Sequence, residues 1–445
     1  MGLIKKLQII SFFCLFTLPL FTEQSFGLTL EECVSLALSN NPDLQKQQLN
    51  QEAAASSVKE LKSQNYGKIS ALASYTHYNL PRTLVPMTPA AMLTSPTGVA
   101  TTEDLSIAGI SYELPLFTGF AQTSSVEVAT LQRQMTEVAF RLSREQLIYN
   151  VKSLYVSVLS LQSQEAAQET YIQALERLYK DISLELKLGK RARVDQLKAA
   201  ADLERAKAQK SQIASSLTIV KASLASLLNV PELSDFQDIP ITVENATPRE
   251  STFSGQIREL QRYHSAELEV MKNEKLIKQS DAALYPQVGF NAFYGQNFGP
   301  NDSSNPKPDD WSNEEVWQAG LTLKWDLIDF GKRSSSRQRA KIAKQQSLRN
   351  RLKTELELKR DFTEAVTRIN TAITEYSSAK TELAMTRETV AIEQVRFDRG
   401  AADLNDLLQA RARNQLALSR YITAGYTYEN AGFYLDYLLE KGETK

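Results

Sequence analysis

Cysteine and histidine are almost absent from this chain. Among its 445 residues there are two cysteines and two histidines. Cys14 lies in the N-terminal apolar segment and Cys33 stands alone behind it, so no intramolecular disulfide can form once that segment is removed. His77 and His264 lack cysteines or acids at a spacing suited to a metal, and no GxxxxGK phosphate loop occurs. We therefore expect no metal, no cofactor and no enzymatic activity.

Neither sign of charge is in excess. The chain has 51 basic and 52 acidic residues, whereas nucleic-acid-binding proteins are usually clearly basic. We therefore expect no nucleic-acid partner. Beyond the N-terminal segment there is no run of about 18 apolar residues, which argues against a transmembrane helix. A membrane role would then depend on β-strands, whose sequence signal is much weaker.

Residues 1–27 have the features of a secretory signal peptide. Two lysines precede an apolar segment from Leu7 to Phe21, and the small residues Ser25 and Gly27 follow it. We predict cleavage after Gly27. The apolar segment is short for a membrane anchor, and no stop-transfer pattern follows it. The sequence therefore predicts an exported chain.

Glycine and proline are missing from two long stretches. The first covers residues 120–188, between Gly119 and Gly189, and the second covers residues 332–399, before Gly400. Within the first, apolar residues recur at steps of three and four, as in a helix with a heptad pattern. One helix of that length is roughly 100 Å long. No single globular core needs such an element, whereas a coiled coil, a long bundle or a helical tube does.

Four shorter segments alternate polar and apolar residues, which predicts strands. Their approximate bounds are 69–80, 105–116, 288–298 and 316–328. Aromatic side chains on these strands are candidates for the girdles that mark membrane interfaces: Tyr112, Tyr294, Trp317 and Trp325. A soluble sheet packed on helices would show the same alternation, so the strands alone do not decide between the two.

The two halves of the chain repeat each other. Gly189 in the first half corresponds to Gly400 in the second, and Asp195 corresponds to Asp406, at the same offset of 211 residues. We assign residues 28–230 to a first structural repeat and residues 254–441 to a second, joined by a linker over 231–253. Each repeat ends in a pair of long helices, at about 120–188 and 193–228 and at about 332–399 and 403–439.

Three motifs resemble those of a known family. The segment Leu28-Thr-Leu-Glu-Glu-Cys-Val-Ser-Leu-Ala-Leu-Ser-Asn-Asn-Pro-Asp-Leu44 resembles the mature N-terminus of outer-membrane efflux proteins of the TolC family. Leu323-Lys-Trp-Asp-Leu-Ile-Asp-Phe-Gly-Lys-Arg333 resembles that family's strand-to-helix junction. Phe397-Asp-Arg-Gly400, followed by Asp406-Leu-Leu408, resembles its helix-turn-helix tip. The resemblance covers essentially the whole mature chain.

The resemblance implies a mostly α fold with a minor β part. Three chains would form a homotrimer, with very long helices in a coiled-coil barrel and four strands per chain in a 12-stranded transmembrane β-barrel. Such a protein is a passive exit duct in the outer membrane of a diderm bacterium, reaching into the periplasm. It would serve a tripartite efflux pump or a type I secretion system.

The resemblance also implies the partners. They would be outer-membrane lipid, a periplasmic adaptor (membrane fusion) protein and an inner-membrane pump of the proton-driven or ABC type. The alternative is a periplasmic coiled-coil adaptor or interaction protein with a soluble β domain.

By the same resemblance, the functional residues lie at the periplasmic tip. Asp406 and Gln409 would line the constriction there, and Gly189 and Gly400 would form the two tip turns. Asp195 would belong to a network that holds neighbouring helices together. Acids in the first turn of a helix also interact favourably with its dipole. Helix stability alone could therefore explain why Asp195 and Asp406 are acidic.

This chain departs from the family pattern at the tip. Phe397, Ala402 and Gln409 stand where the family has a tyrosine, an arginine and a second aspartate. We therefore predict a tip with fewer polar links and a ring of three carboxylates. Cations around the turns suit helix C-termini in any case, and four of them are candidates for contact with the adaptor: Lys190, Arg191, Arg193 and Arg399.

Overall fold

The computed structural model describes residues 27–94, 99–233, 235–243, 255–302 and 311–442. The predicted signal peptide lies outside these residues except for Gly27, as does most of the second half of the predicted linker. The main elements are eight helices and four strands within the described ranges: α1 (Leu30–Asn40), α2 (Pro42–Ser63), β1 (Lys68–Thr83), α3 (Pro89–Thr94), β2 (Thr101–Phe117), α4 (Ala121–Lys187), α5 (Arg193–Leu228), α6 (Gln261–Asp281), β3 (Gln287–Pro300), β4 (Trp311–Lys324), α7 (Lys332–Asp398) and α8 (Leu404–Leu438).

The strands differ from the predicted ones mainly at their ends. β1 runs past Pro81, where an irregularity in the pairing between His77 and Arg82 accommodates the proline, as an edge strand allows. β4 ends at Lys324, before the predicted end at 328. The following residues form a junction in which Phe330 and Gly331 take positive φ, outside the β region that the residues of a regular strand occupy. Trp325 therefore follows the strand.

The long helices of the two repeats match in length and in backbone detail. α4 and α7 have 67 residues each. Gly119 and Phe120 precede α4 with φ of 64° and 69°, and Phe330 and Gly331 precede α7 with φ of 50° and 93°. Each pair lies 211 residues from the other, so the same left-handed turn leads from the sheet into each long helix.

All four long helices end in the same backbone motif. At the end of α4, the Lys190 amide donates to the Glu185 carbonyl (2.8 Å) and the Gly189 amide to the Leu186 carbonyl (3.0 Å). This is the Schellman arrangement, in which the residue after the helix takes positive φ and glycine does so without strain. The equivalent residues of the other three helices are Asn229, Gly400 and Glu440.

Glu440 has a reason to occupy a position that suits glycine. Its carboxylate accepts from the backbone amides of Gln261 (2.6 Å) and Arg262 (3.1 Å), the first two residues of α6. These amides have no partner inside their own helix. Glu440, at the end of the second repeat, therefore caps α6, the helix with which that repeat begins.

The strands form one antiparallel sheet in the order β1-β2-β3-β4. Its register places Trp317 opposite Tyr294, Tyr294 opposite Ile110 and Ile110 opposite Ala71. Directly opposed residues of antiparallel strands point to the same face. In a single chain β1 and β4 are the two edges, and each leaves one row of backbone groups without a partner strand.

The helices lie side by side along their length. α4 contacts α2, α5, α6 and α8, and α7 contacts α6 and α8. Several separate clusters of buried side chains replace a single core. One is centred on Tyr155, whose hydroxyl lies 2.8 Å from the Leu28 carbonyl and 2.6 Å from that of Gln237. Among the described helices, α5 is long and apolar enough to cross a membrane, but it packs along α4.

Candidate functional site

The tip is formed by two helical hairpins. Residues 188–192 connect α4 to α5, and residues 399–403 connect α7 to α8. The hairpins pack together because both contribute to one buried apolar cluster near the turns. The cluster includes Ile182, Ala199, Leu203, Phe397, Leu404 and Leu407. The sequence thus brings the two glycine turns to the same end of the molecule.

Asp406 and Gln409 lie one turn apart on the exposed side of α8. Leu407 and Leu408, between them, are buried in the tip cluster. Within the described ranges the Asp406 carboxylate has no hydrogen-bond or ion-pair partner. It is therefore a free acid in the first turn of a helix, where the helix dipole favours negative charge.

Asp195, the equivalent acid of the first hairpin, is half-buried. Its side chain also has no hydrogen-bond or ion-pair partner in the part of the chain that the structure describes. The link between α5 and α4 at this level comes from its neighbour Gln196, whose Nε2 donates to Ser183 Oγ over 3.0 Å. The network predicted for Asp195 is thus not formed within one chain.

Arg191 joins the first hairpin to the second. Its Nε donates to Glu185 Oε2 over 2.8 Å, and its guanidinium carbon lies 4.4 Å from the centre of the Phe397 ring. This is a cation–π contact, and only 24% of the Arg191 side chain is exposed. Arg191 was predicted as an adaptor contact, but its side chain is engaged inside the protein. The other three candidates, Lys190, Arg193 and Arg399, are exposed.

A second arginine, which the sequence did not single out, ties three helices together above the tip. Arg411 of α8 donates from Nη1 to the Ala174 carbonyl of α4 (3.3 Å) and from Nη2 to Gln394 Oε1 of α7 (2.5 Å). Burial lowers its pKa below the ordinary arginine value, because desolvation penalises the charged form. Arg191 and Arg411 thus supply polar links at and above the tip, and the prediction of fewer such links, which concerned Phe397, Ala402 and Gln409, stays a prediction.

The sheet has one apolar face and one polar face. Tyr112, Tyr294 and Trp317 lie on the apolar face. It also carries Ile69, Ile110, Leu114, Phe290, Leu321 and Leu323. Trp317 is 73% exposed and Leu321 70% exposed, so no residue in the described ranges of a single chain covers this face. The opposite face carries Ser70, Ser111, Glu113, Asn291, Gln318 and Thr322.

A second group of aromatic residues surrounds the strand-to-helix junctions. Phe120 contacts Phe117 and Tyr285 edge to face, with ring centres 5.3 and 5.7 Å apart. Trp325 belongs here, since its Nε1 donates to the Leu284 carbonyl over 3.2 Å, and Phe330 is 99% exposed. Only Trp325 was predicted from the sequence. For Phe120 and Phe330 the sequence signal is their position directly beside a junction glycine, Gly119 or Gly331.

Asp329 fixes the second junction. Its carboxylate accepts from the backbone amides of Gly331 (3.2 Å) and Arg333 (2.8 Å) and from Arg333 Nε (2.8 Å). These bonds, led by the one from the Arg333 amide, lower the pKa of Asp329 below its ordinary value, because they favour the ionised form. In the first repeat Thr118 takes the same position, and its Oγ1 accepts from the Gln122 amide over 3.1 Å.

Long paired helices continuous with a sheet that has an uncovered apolar face define a membrane channel protein with a helical extension. A sequence model of outer membrane efflux proteins matches residues 33–230 and 262–439, that is, both repeats. The chain therefore belongs to the outer membrane efflux protein family. The resemblance seen in the motifs is confirmed, and with it an outer-membrane location and a transport role that involves no enzymatic reaction.

Solved structures show the same fold over nearly the whole chain. A membrane protein from Pseudomonas aeruginosa is 19% identical, with 92% of this chain and 93% of that chain covered and a TM-score of 0.77. The CmeC outer membrane channel of Campylobacter jejuni is 16% identical, with 93% of this chain and 86% of that chain covered and a TM-score of 0.78. The open state of the MtrE outer membrane channel of Neisseria gonorrhoeae is 18% identical, with 93% of this chain and 89% of that chain covered and a TM-score of 0.76. A comparison with curated protein sequences finds no match.

Proposed function

We propose that this chain forms the passive outer-membrane exit duct of a tripartite efflux pump or a type I secretion system. The observation that carries the proposal is the sheet, whose apolar face is uncovered and whose two edges are unpaired. A bilayer buries such a face, but it requires every backbone group to be paired. Three chains that pair β4 of one with β1 of the next would close twelve strands into a barrel and leave no edge.

The apolar face would then contact outer-membrane lipid. Trp317 and Trp325 lie eight residues apart, which corresponds to about 26 Å along a strand and, at a barrel tilt of about 40°, to about 20 Å along the membrane normal. The apolar band of an outer-membrane barrel is about 25 Å tall. Trp317 and Tyr294 would mark one border of the band, Trp325 and the junction aromatics the periplasmic border, and Tyr112 would lie between them.

The helices would continue the duct into the periplasm as a tube about 100 Å long. At its tip three copies of Asp406, with Gln409 one turn further on, would form the constriction. Asp195 would pair with groups of a neighbouring chain. Opening at the tip would connect the duct to an inner-membrane pump of the proton-driven or ABC type through a periplasmic adaptor. We propose Lys190, Arg193 and Arg399 as the adaptor contacts, because these cations are exposed beside the turns.

Recordings in planar bilayers test the constriction. We expect Asp406→Ala to raise the conductance of the closed channel and to reduce both cation preference and block by divalent cations, because three carboxylates leave the narrowest section together. Asp181→Ala, which removes an exposed acid of α4, is the control and should change neither. Unchanged cation selectivity in Asp406→Ala would contradict the ring.

Fractionation tests the duct as a whole. The trimer should sediment with outer membranes and migrate as a band that heating converts to the monomer. A chain recovered from the soluble periplasmic fraction would instead support the adaptor alternative.

A further inference from the structure

The part of α7 nearest the sheet is strongly basic. Residues 332–354 contain nine basic residues and no acidic one, although the chain as a whole has 51 basic and 52 acidic residues. The neighbouring helices of the same layer are balanced: α2 and α6 each have equal numbers of basic and acidic residues, as do residues 121–143 of α4. The excess positive charge is therefore confined to one helix of the four.

Most of these cations have no acidic partner. Arg333 pairs with Asp329 over 2.8 Å, Arg337 with Asp281 over 2.8 Å and Lys344 with Glu274 over 2.6 Å. Lys353 lies 3.6 Å from Glu357 of its own helix. The other five form no ion pair with any residue in the described ranges. Arg351 is half-buried and lies seven residues beyond Lys344, on the same stripe of the helix. We therefore call the other four, which are exposed, the basic collar: Lys332, Arg339, Lys341 and Arg349.

The collar surrounds the open sides of α7. Arg337 and Lys344 are seven residues apart and face α6, with which they pair. Lys332 and Arg339, also seven residues apart, form a second exposed stripe, and Lys341 is exposed on a third. In a tube one helix thick, α6 and a helix of the next copy cover two sides of α7, and the remaining sides face the lumen and the periplasm. Because cations lie on each open stripe, the lumen receives positive charge whichever stripe faces it.

Lipid headgroups cannot neutralise most of this charge. Electrostatic attraction to a charged surface fades over about 8 Å at physiological salt. Arg339 lies seven residues beyond Lys332, about 10 Å along the helix, and Arg349 about 25 Å. Only the first turn of α7 is within reach of anionic headgroups at the membrane surface, so the rest of the collar must be balanced by other anions.

We propose that the basic collar is an anion-selective section of the lumen, directly below the barrel, through which solutes bearing carboxylate or phosphate groups leave. The inference rests on the proposed function, since it requires a duct. A channel wall of one sign concentrates the opposite ion in the lumen. With Asp406 at the tip, the duct would have two sections of opposite charge: the tip favours cations, and the collar favours anions.

The test measures ion selectivity in neutral phosphatidylcholine bilayers under a KCl gradient, so that lipid charge contributes nothing. Asp406→Ala is the background, because it removes the opposing preference of the tip. In that background we expect chloride to permeate better than potassium. Adding Arg339→Gln, Lys341→Gln and Arg349→Gln should abolish the chloride preference. The control adds Glu274→Gln with Lys344→Gln, which alters the same layer without a change in net charge and should leave selectivity as it was.

A chemical label gives a second measurement. Arg339→Cys and Lys341→Cys are treated with an anionic thiol reagent, to which the described part of the unmodified chain offers only the fully buried Cys33. Labelling of at least one position should lower the chloride preference further than the substitution alone. If the variants form normal channels but their ion selectivity changes in neither experiment, the collar proposal is overturned and the proposed duct is not affected. Failure of every variant and of the unaltered chain to form channels would contradict the duct itself.

Discussion

The contact between Arg191 and Phe397 shows how single residues join the two tip hairpins. The position equivalent to Arg191 in the second repeat is Ala402, and the position equivalent to Phe397 in the first is Leu186. The cation therefore comes from one hairpin and the ring from the other, and neither repeat could form the contact with itself. Any movement that separates the hairpins must break it.

We predict that Arg191→Gln raises the open fraction of the channel roughly fivefold, since a partly exposed cation–π contact contributes about 1 kcal/mol. Single-channel recordings measure the open fraction. Arg193→Gln removes an exposed cation with no partner in the described chain and should leave it unchanged. Phe397→Leu keeps an apolar side chain but removes the ring. In that background Arg191→Gln should have little further effect, and fully additive effects would count against the contact.

The junctions between strand and helix use two different side chains for one task. Asp329 and Thr118 occupy equivalent positions, and each accepts from an amide in the first turn of the following long helix. Asp329 also binds the Arg333 guanidinium, which in turn donates to the Leu327 and Ala283 carbonyls. The second junction is therefore fixed by a charge and the first by a hydroxyl.

This difference makes only the second junction sensitive to pH. The pKa of Asp329 is lower in the folded chain than its ordinary value, which is about 4. Its stabilising effect is therefore complete above that ordinary value and is lost as the pH falls through the lower folded value. We predict that backbone amides at 331–335 lose protection from hydrogen exchange below about pH 4 relative to those at 120–124, where Thr118 does not titrate. Asp329→Asn should abolish the difference between the two junctions, and a parallel loss at both would contradict the assignment.

The sequence predicted the long helices well because their limits are local. Glycine-free and proline-free stretches end at Gly189 and Gly400, and the structure places a left-handed residue at both. The end of β4 was wrong because the alternation continues through Trp325 and Leu327, and alternation does not reveal that Asp329 caps the next helix. The partner of Arg191 was missed for a different reason: it lies on the other hairpin, and a motif read along one turn contains no information about it.

In the proposed trimer, the register of the sheet decides which face of each strand contacts lipid and which faces the lumen. Alternation in β1 is too weak to show which side is apolar, since Leu72 and Tyr75 point to opposite faces. Pairing resolves this, because Ile69 lies opposite Tyr112 and Ala71 opposite Ile110, and both partners belong to the apolar face. The strongly patterned β4 thus fixes the faces of all four strands through a chain of opposed residues.

Two adjacent positions of β4 test that orientation. Leu321 lies within the apolar face and Thr322 on the polar face. A lysine facing lipid near the middle of the bilayer costs about 2–4 kcal/mol, and a trimer would bear that cost three times. We predict that Leu321→Lys strongly reduces the heat-labile trimer in outer-membrane fractions. Thr322→Lys should assemble normally and shift the channel towards anion permeation, because its charge would face the lumen. If Thr322→Lys blocked assembly and Leu321→Lys did not, the polar face would be the one in contact with lipid.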